Sequence, residues 1–159
     1  THGGEVRHHH PYLGFNGRLD TIQAAILLAK FTHFPNEVET RERLGKNYNK
    51  LLKDIVETPR TMPGNTHVYA QYTFRTEARD EVAKELKEKG IPTAVYYPKC
   101  LHEQPVFSSL GYSMGSFPES EKASREVLSI PMHPYLTEKD QLFIAQAVKD
   151  AVSTQLSLR

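Results

Sequence analysis

Tryptophan is missing from the 159 residues, and cysteine occurs once, as Cys100. A lone thiol closes no intrachain disulfide, so the sequence points away from a disulfide-stapled secreted scaffold and toward a reducing, cytoplasmic compartment. An excess of either charge is also lacking: 20 Lys plus Arg stand against 19 Asp plus Glu, a net charge of +1 with the 8 histidines neutral. Such a balance gives no broad electrostatic footprint for nucleic acid or for an anionic membrane. No apolar run approaches the ~20 residues of a membrane span. Internal repeats and low-complexity tracts are missing too. What is present, 38% hydrophobic and 25% charged residues, suits a soluble folded chain long enough to bury a core.

The opening Thr1-His2-Gly3-Gly4 runs directly into a dense polar segment, and we read the chain as the C-terminal part of a longer protein. From Leu19 to His33 the pattern becomes helical, with Leu19, Ile22, Ile26 and Ala29 on one stripe. Ala24, Ala25, Leu27 and Leu28 make its middle apolar nearly all round, which predicts a helix buried on more than one side. The phase continues past Pro35 through Val38, Leu44, Tyr48, Leu51 and Ile55, so a kink or a restart is expected there. Glu37 with Arg41, Glu39 with Arg43 and Glu42 with Lys46 stand at i,i+4 and mark a solvated face. Alternation predicts a strand over Val68–Phe74. An amphipathic helix follows with Ala78, Val82, Ala83 and Leu86, closed by Lys89-Gly90. Ile91–Tyr97 is β-rich and halted by Pro98. Residues 102–117 are irregular, and a loop of that length is often functional. Pro118 opens a helix reaching Leu128, a short strand spans Leu128–Met132, and Thr137 caps a last helix holding Leu142, Ala145, Val148 and Val152. The mixture is an α+β fold.

The turn Gly14-Phe15-Asn16-Gly17-Arg18-Leu19-Asp20 stands directly before the apolar helix. Helix starts offer unpaired N–H groups to phosphate. Asn16 adds an amide donor and Arg18 a charged one, while Gly14 and Gly17 allow close backbone approach. Asn16 as a plain helix cap, with Arg18 merely on the surface, fits the same spacing.

The stretch from His10 to Leu27, with its Gly-x-Asn-x-Arg-Leu…Gln-Ala-Ala block, resembles the DegT/StrS-type sugar aminotransferases. The likeness continues through Arg41–Leu51, Tyr96-Tyr97-Pro98, Leu101-His102-Glu103-Gln104-Pro105 and Leu128–Pro134. It implies the C-terminal part of a type I aminotransferase fold, a long broken helix plus a small antiparallel sheet covered by helices. Residues 1–35 would end the large pyridoxal 5′-phosphate (PLP) domain and begin the long helix, and residues 36–159 would form the small C-terminal α+β domain. The resemblance implies a homodimer with a cross-subunit active site, in which PLP serves transfer of an amino group, usually from glutamate, to a keto nucleotide-sugar. It makes Asn16 a ligand of the neighbouring subunit's cofactor phosphate and places Arg18 near that substrate. In the family's His-Tyr-Pro, two residues facing the nucleotide-sugar, this chain has Tyr96-Tyr97-Pro98. Tyr97 matches and Tyr96 replaces the His. A strand end with one ring in the core and one at the surface accounts for this pair as well.

The resemblance places the Schiff-base lysine upstream, so the chain is expected to be inactive alone and no residue here is assigned to catalysis. Lys30 reads as a lysine snorkelling from a helix end. His8 and His10 share a face of an extended segment but fall short of a zinc ligand set, so no metal is expected. Cys100, without CxxC, reads as a buried small hydrophobe, and His133 as a packed loop histidine. Two other readings of the chain are a non-catalytic regulator of the same fold and an α+β interaction domain.

Overall fold

The computed structural model describes residues 17–157, the side chains of residues 105 and 106 excepted. The chain divides into two compact units, one ending at Asn36 and the other beginning at Glu37.

In the first unit Asp20 adopts extended backbone and its carboxylate accepts the Gln23 N–H at 2.8 Å, which starts helix α1 (Thr21–Phe31). At the other end the Thr32 hydroxyl donates to the Ala29 carbonyl at 2.9 Å. The expectation that this helix is buried on more than one side is not met. None of its residues is buried, and Ile22 and Leu28 are each 74% exposed. Apolar composition states what a helix prefers to touch, and burial needs a facing surface as well.

Past the Thr32–His33 turn the helical phase restarts rather than kinks, as α2 (Phe34–Leu52) with Pro35 in its first turn, where the missing N–H leaves no bond unmade. Leu44, Tyr48 and Leu52, four residues apart, bury one face. Of the three charge pairs read on the opposite face, Lys46 reaches Glu42 at 2.7 Å. Arg41 departs from the expectation. It is half-buried and donates to the carbonyls of Tyr69 at 3.1 Å and of Ala70 and Met132 at 3.4 Å each. The Tyr69 and Met132 carbonyls are partly buried and need a donor. Glu37 accepts the Tyr135 hydroxyl instead.

Strand β1 (Tyr72–Arg75) pairs antiparallel with β2 (Val127–Ile130), Tyr72 opposite Ile130 and Phe74 opposite Leu128. The first half of the strand predicted over Val68–Phe74 is lost because Tyr69 turns to φ 43°, its amide donating to His67 Nδ1 at 2.8 Å. The strand predicted over Ile91–Tyr97 shrinks to one bridge, Ala94 with Ser129, so the sheet has two strands. Helix α3 (Arg79–Glu88) buries Val82 and Leu86 against α5 (Glu138–Ser157) and stops at Gly90, φ 75°. Helix α4 (Pro118–Glu126) begins on the expected proline and runs straight into β2. Thr137 caps α5, its hydroxyl accepting the Asp140 N–H at 3.1 Å. Along α5, Ala145, Val148 and Val152 are buried, while Leu142 faces solvent against expectation. The α+β class and the small antiparallel sheet are as read.

Tyr48, Tyr69 and Tyr72 are among the largest fully buried side chains, beside Phe74, Leu86 and Leu128. The Tyr72 hydroxyl donates to Asn49 Oδ1 at 2.7 Å and the Tyr48 hydroxyl to the Pro131 carbonyl at 3.2 Å. Burial, with lesser help from nearby negative or phenolic groups, pushes both phenols well above the usual tyrosine range. A raised folded pKa means the stabilisation is intact below about pH 10 and is lost as pH climbs toward the folded values. In an alkaline titration these two phenols should ionise together with the loss of circular dichroism. Full phenolate absorbance from a chain that keeps its native ellipticity would show that they are not buried.

Candidate functional site

A groove of about 750 Å³ opens in the second unit between the Tyr96-Tyr97 segment and the start of α4. Two short 3₁₀ turns, Leu101–Glu103 and Pro105–Leu110, and the loop at 111–117 supply its sides. Its lining is chiefly apolar and aromatic, the character of a site that buries part of a small molecule. At one margin Tyr96 is 43% and Tyr97 74% exposed, their rings meeting edge to face at 5.8 Å. Neither ring is in the core, so the reading with one of the pair buried fails: the strand that would have alternated them is not formed. Two exposed phenols at a groove margin offer hydroxyls and ring faces to a polar ring ligand.

Against two of the lining residues, His102 and Phe117, lies a charged group that is not among the expected site residues. Glu121, on the first turn of α4, is 5% exposed. Its carboxylate accepts the Gly115 N–H at 2.8 Å and the Phe117 N–H at 3.3 Å, and it sits 3.0 Å from His102 Nε2. A carboxylate only accepts, so that ring nitrogen carries the proton. Burial alone pushes the Glu121 carboxyl up, but the Phe117 and Gly115 amides and His102 together hold it below the usual glutamate range. The sequence signal was present as Pro118 followed by acidic residues, which reads as a helix start and nothing more.

The other candidates fall as follows. Arg18 is exposed in the first unit, two residues before the Asp20 cap. Asn16 lies outside the described residues, as do His8, His9 and His10. The helix cap is Asp20, whose carboxylate takes the Gln23 N–H and places a negative charge at the positive end of α1. Among the described residues, a Cβ on Gly17 would meet nothing within 4 Å. Lys30 and His133 are exposed, the latter contrary to a packed loop histidine. Cys100 is buried as expected, its amide donating to Glu103 at 3.0 Å, and His102 turns to Glu121. Among the described residues no cluster of three metal-ligating side chains occurs, and no helix is long and apolar enough to cross a membrane.

The model of the DegT/DnrJ/EryC1/StrS aminotransferase family matches residues 1–149. The chain belongs to that family. As a member of the DegT/DnrJ/EryC1/StrS aminotransferases it is 46% identical over 154 residues to the pleiotropic regulatory protein of Geobacillus stearothermophilus, covering 94% of this chain and 41% of that one. It is 43% identical over 136 residues to the UDP-2-acetamido-2-deoxy-3-oxo-D-glucuronate aminotransferase of Pseudomonas aeruginosa, covering 85% of this chain and 37% of the relative. The crystal structure of a family aminotransferase from Brucella abortus superposes with a TM-score of 0.79 at 42% identity, over 94% of this chain and 40% of that chain. S. venezuelae DesV, in complex with a ketimine intermediate, gives 0.81 at 32%, over 95% and 41%. The chain therefore spans about 40% of the length of the relatives it matches, and its α+β fold is one part of the aminotransferase fold.

Proposed function

We propose that this chain is the C-terminal portion of a PLP-dependent enzyme that moves an amino group from an amino acid, glutamate by preference, onto the keto carbon of a nucleotide-linked sugar. The observation that carries this reading is its 43% identity to an aminotransferase named for a UDP-linked 3-oxo sugar acid, together with an aromatic groove rimmed by the two exposed tyrosines. In this reading residues 1–35 end the large domain and residues 36–159 form the small one, and the complete enzyme is a cytoplasmic homodimer. The exposed apolar residues of α1, Ile22, Ile26, Leu27 and Leu28, support packing against further protein.

When bound, PLP supplies the electron sink for amino transfer. The residues of this chain fit one side of its site in donor type: the Asn16 amide would donate to the phosphate of the partner subunit's cofactor. Arg18 binds an anionic group of the substrate held in that neighbouring site. Tyr96 and Tyr97 orient the sugar through hydroxyls and ring faces. The lysine that anchors the cofactor precedes this segment, so the segment assists by binding and orienting and performs no turnover alone.

The test is direct. Full-length enzyme supplied with glutamate and a UDP-linked 3-keto sugar should release 2-oxoglutarate, and residues 1–159 alone should not. A full-length protein inert on nucleotide-linked keto sugars would overturn this reading. It would favour a non-catalytic regulator, the reading that the name of the Geobacillus stearothermophilus relative supports.

A further inference from the structure

We propose that Glu121 is a positioning residue for the sugar substrate: it fastens the loop at 111–117 to α4 and to His102, and so sets Tyr112 and Phe117 as a wall of the groove that Tyr96 and Tyr97 also line. The proposal rests on the reading of that groove as a substrate site. A carboxylate that only capped α4 would need one amide of the helix start. Glu121 instead takes the Gly115 N–H with both oxygens, at 2.8 and 3.0 Å, and reaches His102, nineteen residues earlier in the chain. It thereby ties three segments at one buried point.

The aromatic wall is continuous with that point. The Phe117 ring lies 4.9 Å from His102 and 5.0 Å from Tyr112, the latter edge to face. Backbone bonds hold the loop's two ends, Gly111 N–H to the Ser108 carbonyl at 3.4 Å and Glu121 N–H to the Phe117 carbonyl at 3.0 Å. Its internal bonds are a local turn, Ser116 N–H to the Ser113 carbonyl at 3.0 Å and Ser113 N–H to Ser116 Oγ at 3.1 Å. Gly111 at φ 76° and Gly115 at φ 91° give the chain a path that other residues resist. Burying a carboxylate costs free energy that its partners only roughly offset, and the best-attested return is a fixed arrangement.

Glu121→Gln keeps the size and one acceptor oxygen and gives up the charge. In full-length enzyme assayed with glutamate and a UDP-linked 3-keto sugar, it should raise KM for the sugar about tenfold, with kcat altered less than about threefold and KM for glutamate unchanged. Hydrogen exchange at the Gly115 and Phe117 amides should quicken in the same variant. Glu121→Ala should exaggerate both effects where it folds. A Gln variant that melts earlier yet keeps the wild-type KM for the sugar makes Glu121 merely structural and overturns the proposal. Wild-type enzyme without sugar-dependent turnover overturns the underlying reading and the proposal together, so the two failures are distinguishable.

Discussion

Gly45→Ala should destabilise the second unit by about 2–3 kcal/mol, although alanine is the better helix former. Gly45 is buried in the middle of α2, and a Cβ there would stand 2.3 Å from Cδ2 of Tyr69 and 2.4 Å from its Cγ. Contacts that short are overlaps, so either the ring or the helix must move. The ring has little freedom. It stacks on His67 at 4.0 Å and on Tyr72 at 5.9 Å, its hydroxyl accepts from Asn49 at 3.3 Å, and its backbone is held at φ 43°. Replacing glycine in a helix interior gains about 1 kcal/mol in propensity, which the overlap more than cancels. Urea unfolding should show a lower midpoint for Gly45→Ala. The Tyr69→Ala background should remove most of that difference, the non-additivity expected of touching residues. A variant as stable as the parent would show that Tyr69 does not lie on this helix.

How much of this was legible beforehand depends on where the deciding forces act. The caps at Thr137 and Gly90 and the opening of α4 at Pro118 were readable because each is settled within one turn of chain. The face of Leu44 and Tyr48 followed from periodicity, which needs no partner to be seen. The strand expected over Ile91–Tyr97 does not form because its β-branched and aromatic residues state a preference, while a strand needs a neighbour with free ladder positions; of these residues only Ala94 finds one, in Ser129. Arg41 leaves its expected ion pair for a related reason. Its sequence neighbour offered an ion pair, but carbonyls 28 and 91 positions away hold it. The irregular stretch expected at 102–117 does line the groove, but the anchor Glu121 draws on loop amides whose position no local pattern reveals. Of the candidate residues, Tyr96 and Tyr97 came from resemblance, and the structure adds their exposure on a groove that periodicity did not foresee.

Asn16 carries the second large expectation. Its amide is proposed to donate to a doubly charged phosphate, a bond to a charged group of about 1.5–3 kcal/mol, so Asn16→Ala in the full-length enzyme should weaken PLP retention about 10- to 100-fold. Asp20, capping α1 at 2.8 Å through Gln23, cannot substitute, since its own charge repels the phosphate. The protein's fold should be unaffected, because helix α1 keeps its cap.

The decisive version places the change in one subunit only. A hybrid dimer is made in which one subunit carries both Asn16→Ala and replacement of its cofactor lysine, and the other is unaltered. If Asn16 serves the neighbouring site, one site lacks its lysine and the other lacks its amide, and PLP titration should find no tight site in the dimer. One tight site per hybrid dimer, with wild-type affinity, would contradict the account.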